Sequence, residues 1–395
     1  MNQALQKKRI AIVCDWLTNM GGAEKVILSL HRLFPEAPIF TTLFDKKRVQ
    51  GFENAEIHAS FLQKIPFAKA HHQLMLGWMP MAVESLNLND FDIVISSSHS
   101  VAKGIITKPE TVHICYCHTP MRYAWEPWEL EYRLSGFPKI LHSRIRKRMH
   151  EIRIWDRLSA DRVDHFIANS NHVAERIRKY YRRESTVIYP PVRTDEFQIG
   201  TPKNYYLTVG RLIPYKRFDL VIEAFGNSPR PPSVPPWQGG RFAEEVGVRQ
   251  LVIVGSGPEE KKLKKMAGKN IRFLGHVSDE KLKELYSGCQ ALIHPQIEDF
   301  GLSTVEAMAS GRPVIAFAEG GALETVVEGK TGLFFHEQSS SSLIEALSRF
   351  ESRSWNPHEI KAHAENFSEK EFQKNILQYI EQKIQIPSLQ PRREG

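Results

Sequence analysis

"ALIHPQIEDFGLSTVEAMASGRPVIAF", residues 291–317, contains a strand, a helix and a second strand. Its two ends are short apolar runs, and residues 303–310 between them form a helix-period segment that ends at Gly311 with Pro313 beyond it. A strand, a helix and a strand in this order make a βαβ unit, in which the strands lie parallel in a sheet that helices cover.

The same alternation of strand and helix extends outward over most of the chain. The runs "RIAIVCD", "DIVISSS", "TVHICYC" and "DHFIANS" are strand-like in the first half, and "YYLTVG", "LVIVGSG" and "IRFLG" follow in the second. The pattern restarts after the proline-bearing stretch at residues 188–203. Because 395 residues exceed the ~100 to 200 of one ordinary domain, we predict an α/β protein with two consecutive domains.

We place the N-terminal domain at residues 1–190 and the C-terminal domain at 191–369, with a helix at about 370–384 packing back on the N-terminal domain. Residues 226–247 are rich in proline and glycine, which indicates a surface insertion between a helix and a strand. A proline-rich docking site is the alternative for this insertion. The tail at 385–395 is expected to be disordered.

The formal net charge of +8 favours anionic partners such as phosphates or acidic lipid. Nucleic acid is not expected, since the chain has no DNA- or RNA-binding motif and its clustered basic residues occupy one segment. The chain has no run of ~18 apolar residues and enters its first strand without a secretory signal, so we expect a cytoplasmic protein. The cysteines lack metal-ligand spacing and are expected to be reduced and buried: Cys14, Cys115, Cys117 and Cys289.

Residues that directly follow the strands are the candidates for a site, because ligands of open parallel sheets bind beyond the carboxyl ends of the strands. Arg211 follows "YYLTVG" and Lys216 lies near the start of the next helix, and such cations suit a diphosphate leaving group. Ordinary surface cations are the alternative. His118 follows "TVHICYC", where a structural histidine within the loop is the alternative.

The helix start near residues 301–304 offers free amides and a positive helix end as a seat for an anion. Glu298, just before this start, would accept hydrogen bonds from sugar hydroxyls, and an exposed loop carboxylate is its alternative. Ser303 and Glu306 also match a capping box, in which Glu306 reaches back to the Ser303 amide. That structural role is the alternative for Glu306.

Several longer stretches carry a family resemblance. "EDFGLSTVEAMASGRPVIAFAEGGALETVVEGKTGLFF", "VGRLIPYKRFDLVIEAF" and "GHVSDEKLKELY", with seven residues between Glu298 and Glu306, resemble glycosyltransferase family 4. The resemblance implies a retaining enzyme of the GT-B type, with two Rossmann-like domains facing each other across a cleft. "IVCDWLTNMGGAEKV", "HICYCHTPMRYAWE" and "VIYPPV" are similar to the mannosyltransferase-like branch of bacterial surface polysaccharide synthesis.

The implied reaction moves a hexose, expected to be mannose from GDP-mannose, to a glycan or to an acceptor carried on a polyprenyl diphosphate. The alternatives are the same reaction with a UDP-linked sugar, a sugar-nucleotide epimerase of the same architecture, which would act without an acceptor, and a catalytically silent binding protein. A dehydrogenase is excluded, because "DWLTNMGGAEK" lacks the G-x-G-x-x-G of dinucleotide sites.

The resemblance also implies a role for each matching position. The residues expected at the reacting centre are His118 beside the anomeric carbon, Glu298 on the donor sugar hydroxyls, and Arg211 and Lys216 on the diphosphate. Donor binding would further use Glu306 on the ribose, Val277 near the base, the amides of Gly301, Leu302 and Ser303, and Gly21 and Gly22, where the backbone can approach the phosphates and the sugar.

Retention normally needs a carboxylate nucleophile, and the N-terminal half supplies no obvious one. We therefore expect front-side displacement, in which the leaving phosphate takes the proton of the acceptor. Neither a cofactor nor a metal is expected beyond the nucleotide sugar. Asp90 and Asp92 imitate a D-x-D metal motif, but they precede the strand "IVISSS" and so lie at its wrong end for a strand-exit site.

The segment 139–157, "KILHSRIRKRMHEIRIWDR", contains seven Lys or Arg residues and two acids. Its apolar residues recur at helical spacing, which is typical of a core-packed helix with a solvated basic face. The alternative is a helix that meets anionic lipid, which would place the protein on the inner face of the cell membrane beside a lipid-linked acceptor.

Overall fold

The structure, a computed structural model, describes most of the chain. The described ranges are residues 3–127, 129, 136–226 and 248–385. The predicted insertion at 226–247 lies outside the described residues except for residue 226, and the predicted disordered tail lies outside them except for residue 385. The chain divides into two compact units: unit 1, Met1–Pro191 with Phe372–Gly395, and unit 2, Val192–Glu371.

The strands of the described residues form one parallel sheet in each unit. In unit 1 they are β1 (Ile10–Cys14), β2 (Ile39–Thr41), β3 (Ile57–Ala59), β4 (Ile93–Ser98), β5 (Val112–Cys117), β6 (His165–Ala168) and β7 (Ser185–Val187). In unit 2 they are β8 (Tyr206–Val209), β9 (Leu251–Val254), β10 (Ile271–Gly275), β11 (Leu292–His294), β12 (Val314–Phe317) and β13 (Gly332–Phe335).

Helices connect these strands, as the βαβ pattern predicts. The α-helices of the described residues are α1 (Gln3–Gln6), α2 (Gly22–Leu33), α3 (Met79–Glu84), α4 (Arg122–Trp125), α5 (Lys139–Ser159), α6 (Asn171–Tyr181), α7 (Phe218–Gly226), α8 (Glu260–Met266), α9 (Asp279–Gly288), α10 (Leu302–Ala309), α11 (Ala322–Thr325), α12 (Ser340–Glu351), α13 (Pro357–Ala364) and α14 (Glu369–Gln385).

Both faces of the unit 1 sheet are buried. Successive residues of a strand point to opposite faces. Ile12 accordingly packs in one apolar cluster with Phe372 and Ile376 of α14, while Val13 packs in a second cluster with Met149 of α5. Burial on both faces explains why the central strands are continuous apolar runs without alternation.

Strand order in both sheets has the same form. The order is β3-β2-β1-β4-β5-β6-β7 in unit 1 and β10-β9-β8-β11-β12-β13 in unit 2, with every pairing parallel. The direction of winding reverses between β1 and β4 and between β8 and β11. These are Rossmann-like sheets, and their ligands bind in the crevice at the reversal point. The prediction of two Rossmann-like domains is confirmed.

Two composition-based expectations concern the cysteines and the membrane. All four cysteines are free and buried, and burial raises the pKa of the Cys115 and Cys289 thiols to about 12. Among the helices that the structure describes, none has the length and the apolar character to cross a bilayer.

Candidate functional site

The reversal point of unit 2 brings two of the predicted site residues into contact. Lys216 ends a 3-10 turn that follows β8, and Glu298 follows β11. The Lys216 Nζ lies 2.8 Å from the Glu298 Oε1, with 16% and 24% of the two side chains exposed. Gly210, at the end of β8, has a φ of 153°, and a Cβ there would lie 3.0 Å from the Lys216 Nζ. Glycine at this position therefore leaves room for the lysine.

Helix α10 begins beside this ion pair without a side-chain cap. Gly301 is its N-cap residue, with a φ of 88° that an L side chain rarely adopts. The first amides of a helix have no partner within the helix, and the helix start carries partial positive charge. Lys216 and the α10 start can therefore hold an anion, while the Glu298 carboxylate can accept hydrogen bonds from hydroxyls.

The capping-box interpretation of Ser303 and Glu306 is wrong. Because Gly301 is the N-cap, Ser303 lies inside the first turn of α10 and its Oγ is 3.5 Å from the His294 Nδ1. Glu306 is 8% exposed and accepts a hydrogen bond of 3.0 Å from the Tyr286 hydroxyl. The cap inferred from spacing failed because Gly301, in the left-handed conformation, is the N-cap in place of Ser303, two residues earlier in the chain.

Three further predicted residues of unit 2 have no described contact with the pair. Arg211 is exposed and forms no ion pair with another described residue. Leu302 is half-buried in the first turn of α10. Val277 is half-buried two residues beyond β10, the edge strand of the sheet. Their roles stay predictions.

His294, which the sequence reasoning missed, supports the helix start. It is the last residue of β11, is 1% exposed, and its Nδ1 lies 3.2 Å from the Gln296 Nε2. Burial lowers the pKa of His294 to about 4; Glu298 opposes this effect and Lys216 adds to it. The imidazole is thus neutral at neutral pH. The sequence signal that could have identified His294 is its position at the end of the apolar run "ALIHP".

The reversal point of unit 1 holds a second cluster that the sequence reasoning did not assign. Asp15 follows β1 and is 2% exposed. Its carboxylate accepts hydrogen bonds of 2.6–3.1 Å from the four successive amides of residues 99–102, and the His99 Nδ1 is 2.9 Å away. Burial alone would raise the pKa of Asp15, but His99 and the amides outweigh it and lower the pKa to about 2. Asp15 therefore fixes the β4 exit loop and orients His99.

His118 follows β5 and lies next to this cluster. Its Nε2 is 2.8 Å from the Ser97 Oγ, and its ring centroid is 6.3 Å from that of His99. Burial lowers the pKa of His118 to about 3, with His99 adding to the effect and Asp15 opposing it. His118 is therefore a neutral hydrogen-bonding group at neutral pH.

Gly21 and Gly22 form the start of α2, as the sequence predicts, but a carboxylate already lies there. Gly21 is the N-cap, and a Cβ on it would lie 3.0 Å from the Oε2 of Glu24, which is 5% exposed. Burial raises the pKa of Glu24, and His99 opposes that effect. Since the helix start is occupied by a carboxyl group of the chain itself, its electrostatics suit a hydroxyl better than a phosphate.

The D-x-D motif lies at the amino end of its strand. The Asp92 carboxylate accepts a hydrogen bond of 2.8 Å from the Arg9 amide, and Asp90 and Asp92 each lie 4.0 Å from the Arg9 guanidinium. Within the described ranges, no group of three or more His, Cys, Asp or Glu side chains is arranged to hold a metal ion.

Two protein-family models match the chain in succession. The model described as Glycosyltransferase Family 4 matches residues 20–196, and the model described as Glycosyl transferases group 1 matches residues 192–370. Together they cover residues 20–370, which include the Lys216–Glu298 pair of unit 2 and His99 and His118 of unit 1. Asp15 and β1 lie before the first match.

The chain is also similar to curated mannosyltransferases. It is 29% identical to the alpha-1,3/1,6-mannosyltransferase ALG2 of Dictyostelium discoideum, over 55% of this chain and 56% of the relative. It is 24% identical to ALG2 of Kluyveromyces lactis, over 82% of this chain and 72% of the relative. It is 32% identical to the O-antigen chain mannosyltransferase RfbU of Salmonella typhimurium, over 40% of this chain and 43% of the relative. The chain thus matches less than two thirds of the length of the Dictyostelium and Salmonella relatives.

Solved structures share the fold. Sucrose-phosphate synthase from Thermosynechococcus elongatus has a TM-score of 0.69 at 16% identity, covering 96% of this chain and 99% of that one. Anabaena Alr3699/HepE in complex with UDP has a TM-score of 0.67 at 17% identity, and the match covers 95% of this chain and 100% of that one. At these identities the likeness establishes the architecture.

The buried His294 predicts a specific pH dependence of stability. The unfolded chain protonates a histidine near pH ~6.5, whereas His294 in the folded chain resists protonation until about pH 4. Between these values the unfolded state binds more protons, so the free energy of unfolding falls as the pH falls. His294→Gln should weaken this dependence by up to ~1.4 kcal/mol per pH unit, measured by urea unfolding between pH 7 and pH 5.

The exposed His336 provides the control, since His336→Gln removes a histidine from the surface of the same unit. His113 and His118 remain in every variant, so the difference isolates His294. Parallel pH curves for the wild-type protein and His294→Gln would contradict the burial of a neutral imidazole.

Proposed function

Because the chain belongs to glycosyltransferase family 4, we propose that this glycosyltransferase moves mannose from GDP-mannose to an acceptor with retention of configuration. The observation that carries the proposal is the Lys216–Glu298 pair beside the uncapped start of α10. The mannosyltransferase names of ALG2 and RfbU support mannose as the sugar.

The pair supplies the two kinds of group that a nucleotide sugar requires. An ammonium and free helix amides favour the diphosphate oxygens, and a carboxylate favours the sugar hydroxyls. Lys216 and Glu298 neutralise each other in the unliganded protein. When the donor binds, Lys216 can pair with the diphosphate and Glu298 can accept hydrogen bonds from the sugar hydroxyls. One ion pair within the protein is thus replaced by two interactions with the donor.

The transfer step uses no nucleophile of the protein. The acceptor hydroxyl oxygen forms a bond to the anomeric carbon on the face from which the diphosphate departs, and the bond from that carbon to the phosphate oxygen breaks with its electron pair. The acceptor proton passes to the leaving phosphate oxygen. Lys216 and Arg211 stabilise the negative charge that develops there. His118 is assigned to the donor sugar as a neutral hydrogen-bonding group.

The proposed acceptor is a glycan or a polyprenyl-diphosphate-linked sugar of a surface polysaccharide, on the cytoplasmic side of the membrane. The match to the O-antigen chain mannosyltransferase RfbU supports this class of product. The Pro/Gly-rich insertion is assigned no role in the transfer.

The donor is tested by supplying GDP-mannose and UDP-linked hexoses separately, with a membrane fraction as acceptor. We expect sugar incorporation and release of nucleoside diphosphate with GDP-mannose, an axial anomeric linkage by NMR, and no glycosyl adduct in the intact mass of the protein. Preference for a UDP-sugar would overturn the donor, and an adduct would overturn the front-side step. Epimerisation of the donor without acceptor would overturn the transfer itself.

Substitution of the ion pair should separate its two roles. Lys216→Ala removes charge stabilisation of the leaving group and should lower kcat by ~10² to 10³ fold. Glu298→Gln keeps the shape but loses charge-assisted hydrogen bonds, so kcat/KM should fall by roughly 10- to 100-fold. The matched control is Lys281→Ala, which removes a lysine from exposed α9, where it pairs with Glu284 at 2.7 Å. Wild-type transfer by both site variants would refute the assignment.

We also propose that transfer requires no metal ion, because Lys216 and the α10 start supply the positive charge. Transfer should persist after exhaustive treatment with EDTA, measured as release of nucleoside diphosphate. Loss of activity that Mn²⁺ or Mg²⁺ restores would show that the lysine and the helix amides are insufficient.

A further inference from the structure

Unit 1 exposes a group of large apolar side chains over a short stretch of chain. Phe67, Leu74, Trp78 and Met81 are 82%, 60%, 55% and 55% exposed, and we call these four residues the apolar patch. Single exposed apolar residues are ordinary, but several large ones close together in the chain mark a contact surface.

The backbone at Phe67 has a left-handed conformation that costs free energy, and the phenyl ring is exposed. Its φ is 61°, in the left-handed region that bulky residues avoid. The Phe67 carbonyl accepts hydrogen bonds of 3.1 Å from the amides of Ala70 and His71, and the adjacent Ala68 is 1% exposed. The strained backbone thus coincides with a phenyl ring that is exposed to solvent. Strain of this kind is characteristic of functional positions.

The segment that carries Trp78 and Met81 of the apolar patch packs against the basic helix α5. Met79, between two patch residues, belongs to the same core cluster as Met149 of α5. Trp155 of α5 donates a hydrogen bond of 2.8 Å to Glu84, just beyond the patch. A Cβ on Gly77 would lie 3.3 Å from the Arg148 Nε. Trp78 and Met81 therefore lie on a segment beside the basic residues of α5, in the same unit.

The exposed charge around the patch is positive. The acids of α5 are compensated, since Asp156 is buried against Lys103 and Glu151 pairs with Arg148 at 2.9 Å. Further exposed basic side chains on α5 and on or near the patch segment are Lys139, Arg144, Arg146 and Lys147 together with Lys64 and Lys69. This surface therefore combines aromatic and aliphatic tips with long cationic side chains.

We propose that the apolar patch and the basic face of α5 form a docking surface for an anionic lipid bilayer. Cationic side chains attract acidic headgroups, while Trp and Phe suit the boundary between headgroups and acyl chains. A second copy of the chain is disfavoured as the occupant, because a two-fold contact would oppose two basic faces. The surface extends the predicted lipid contact of the basic helix to residues 67–81; only its link to a lipid-linked acceptor rests on the proposed function.

Binding to vesicles tests this surface without donor or acceptor. The purified full chain should sediment with phosphatidylcholine vesicles that contain phosphatidylglycerol and should remain in solution with phosphatidylcholine alone. Arg144→Gln with Lys147→Gln should weaken the binding by about 30-fold at low salt, since each basic residue contributes near an acidic surface. Lys261→Gln with Lys265→Gln, on exposed α8 of unit 2, removes the same charge and should leave binding unchanged.

A second set of variants tests the contribution of the apolar patch to vesicle binding. Phe67→Ser with Trp78→Ser should weaken binding at least about tenfold, and Met266→Ser, at an exposed methionine of unit 2, should not. Trp78→Phe keeps an apolar ring and should retain binding, so it remains informative if the serine variant is unstable. Brominated lipid should quench tryptophan fluorescence less in Trp78→Phe than in the wild type.

Binding to neutral vesicles as strong as binding to acidic vesicles would overturn the proposal. So would a loss of binding in the control variants as large as in the site variants, or quenching in Trp78→Phe that equals quenching in the wild type. So would a concentration-dependent dimer that Phe67→Ser with Trp78→Ser abolishes in the absence of lipid. Transfer to a water-soluble glycan acceptor should be unaffected by these patch variants. If vesicle binding fails while transfer is intact, this inference is wrong and the proposed function stands. If vesicle binding is intact while transfer fails, the proposed function is wrong and this inference stands.

Discussion

In each sheet all strands run parallel, so every carboxyl end lies at one edge. Helices cover the faces, and ligands of such sheets bind at that edge, at the point where the strand order reverses. In unit 2 this places the exits of β8 and β11 side by side, which is how Lys216 reaches Glu298 across 82 residues of chain at 2.8 Å. The same constraint in unit 1 places Asp15 beside the loop at residues 99–102.

The two reversal points differ in charge, and the difference indicates what each can bind. Unit 2 combines a lysine, a carboxylate and an uncapped helix start over a neutral histidine, which suits an anion with hydroxyls attached. Unit 1 combines Asp15 and Glu24 with His99 and the neutral His118, and its helix start already carries a carboxyl group. That environment favours hydroxyl groups. The expectation of phosphates near Gly21 and Gly22 is the part of the sequence interpretation that this charge distribution does not favour.

The central strands were predictable because buried parallel strands are continuous apolar runs. The sequence reasoning missed β2, β3, β7 and β13. Of these, β3, β7 and β13 are edge strands, and β3 and β7 are only partly buried, so the sequences of β3 and β7 lack a continuous apolar run. The capping box failed for a similar local reason, because the left-handed conformation of Gly301 decides where α10 begins.

The sequence by itself determined the fold class, the family and the site candidates that follow strands, because apolar periodicity and motif spacing are properties of the chain alone. Only the tertiary structure decided which candidates meet. It paired Lys216 with Glu298, turned Glu306 toward Tyr286, and made His294 and His118 neutral through burial. It also exposed Trp78 on a segment that lies beside a basic helix about 70 residues away in the chain. Contact, burial and exposure depend on how distant segments pack, and no local pattern encodes them.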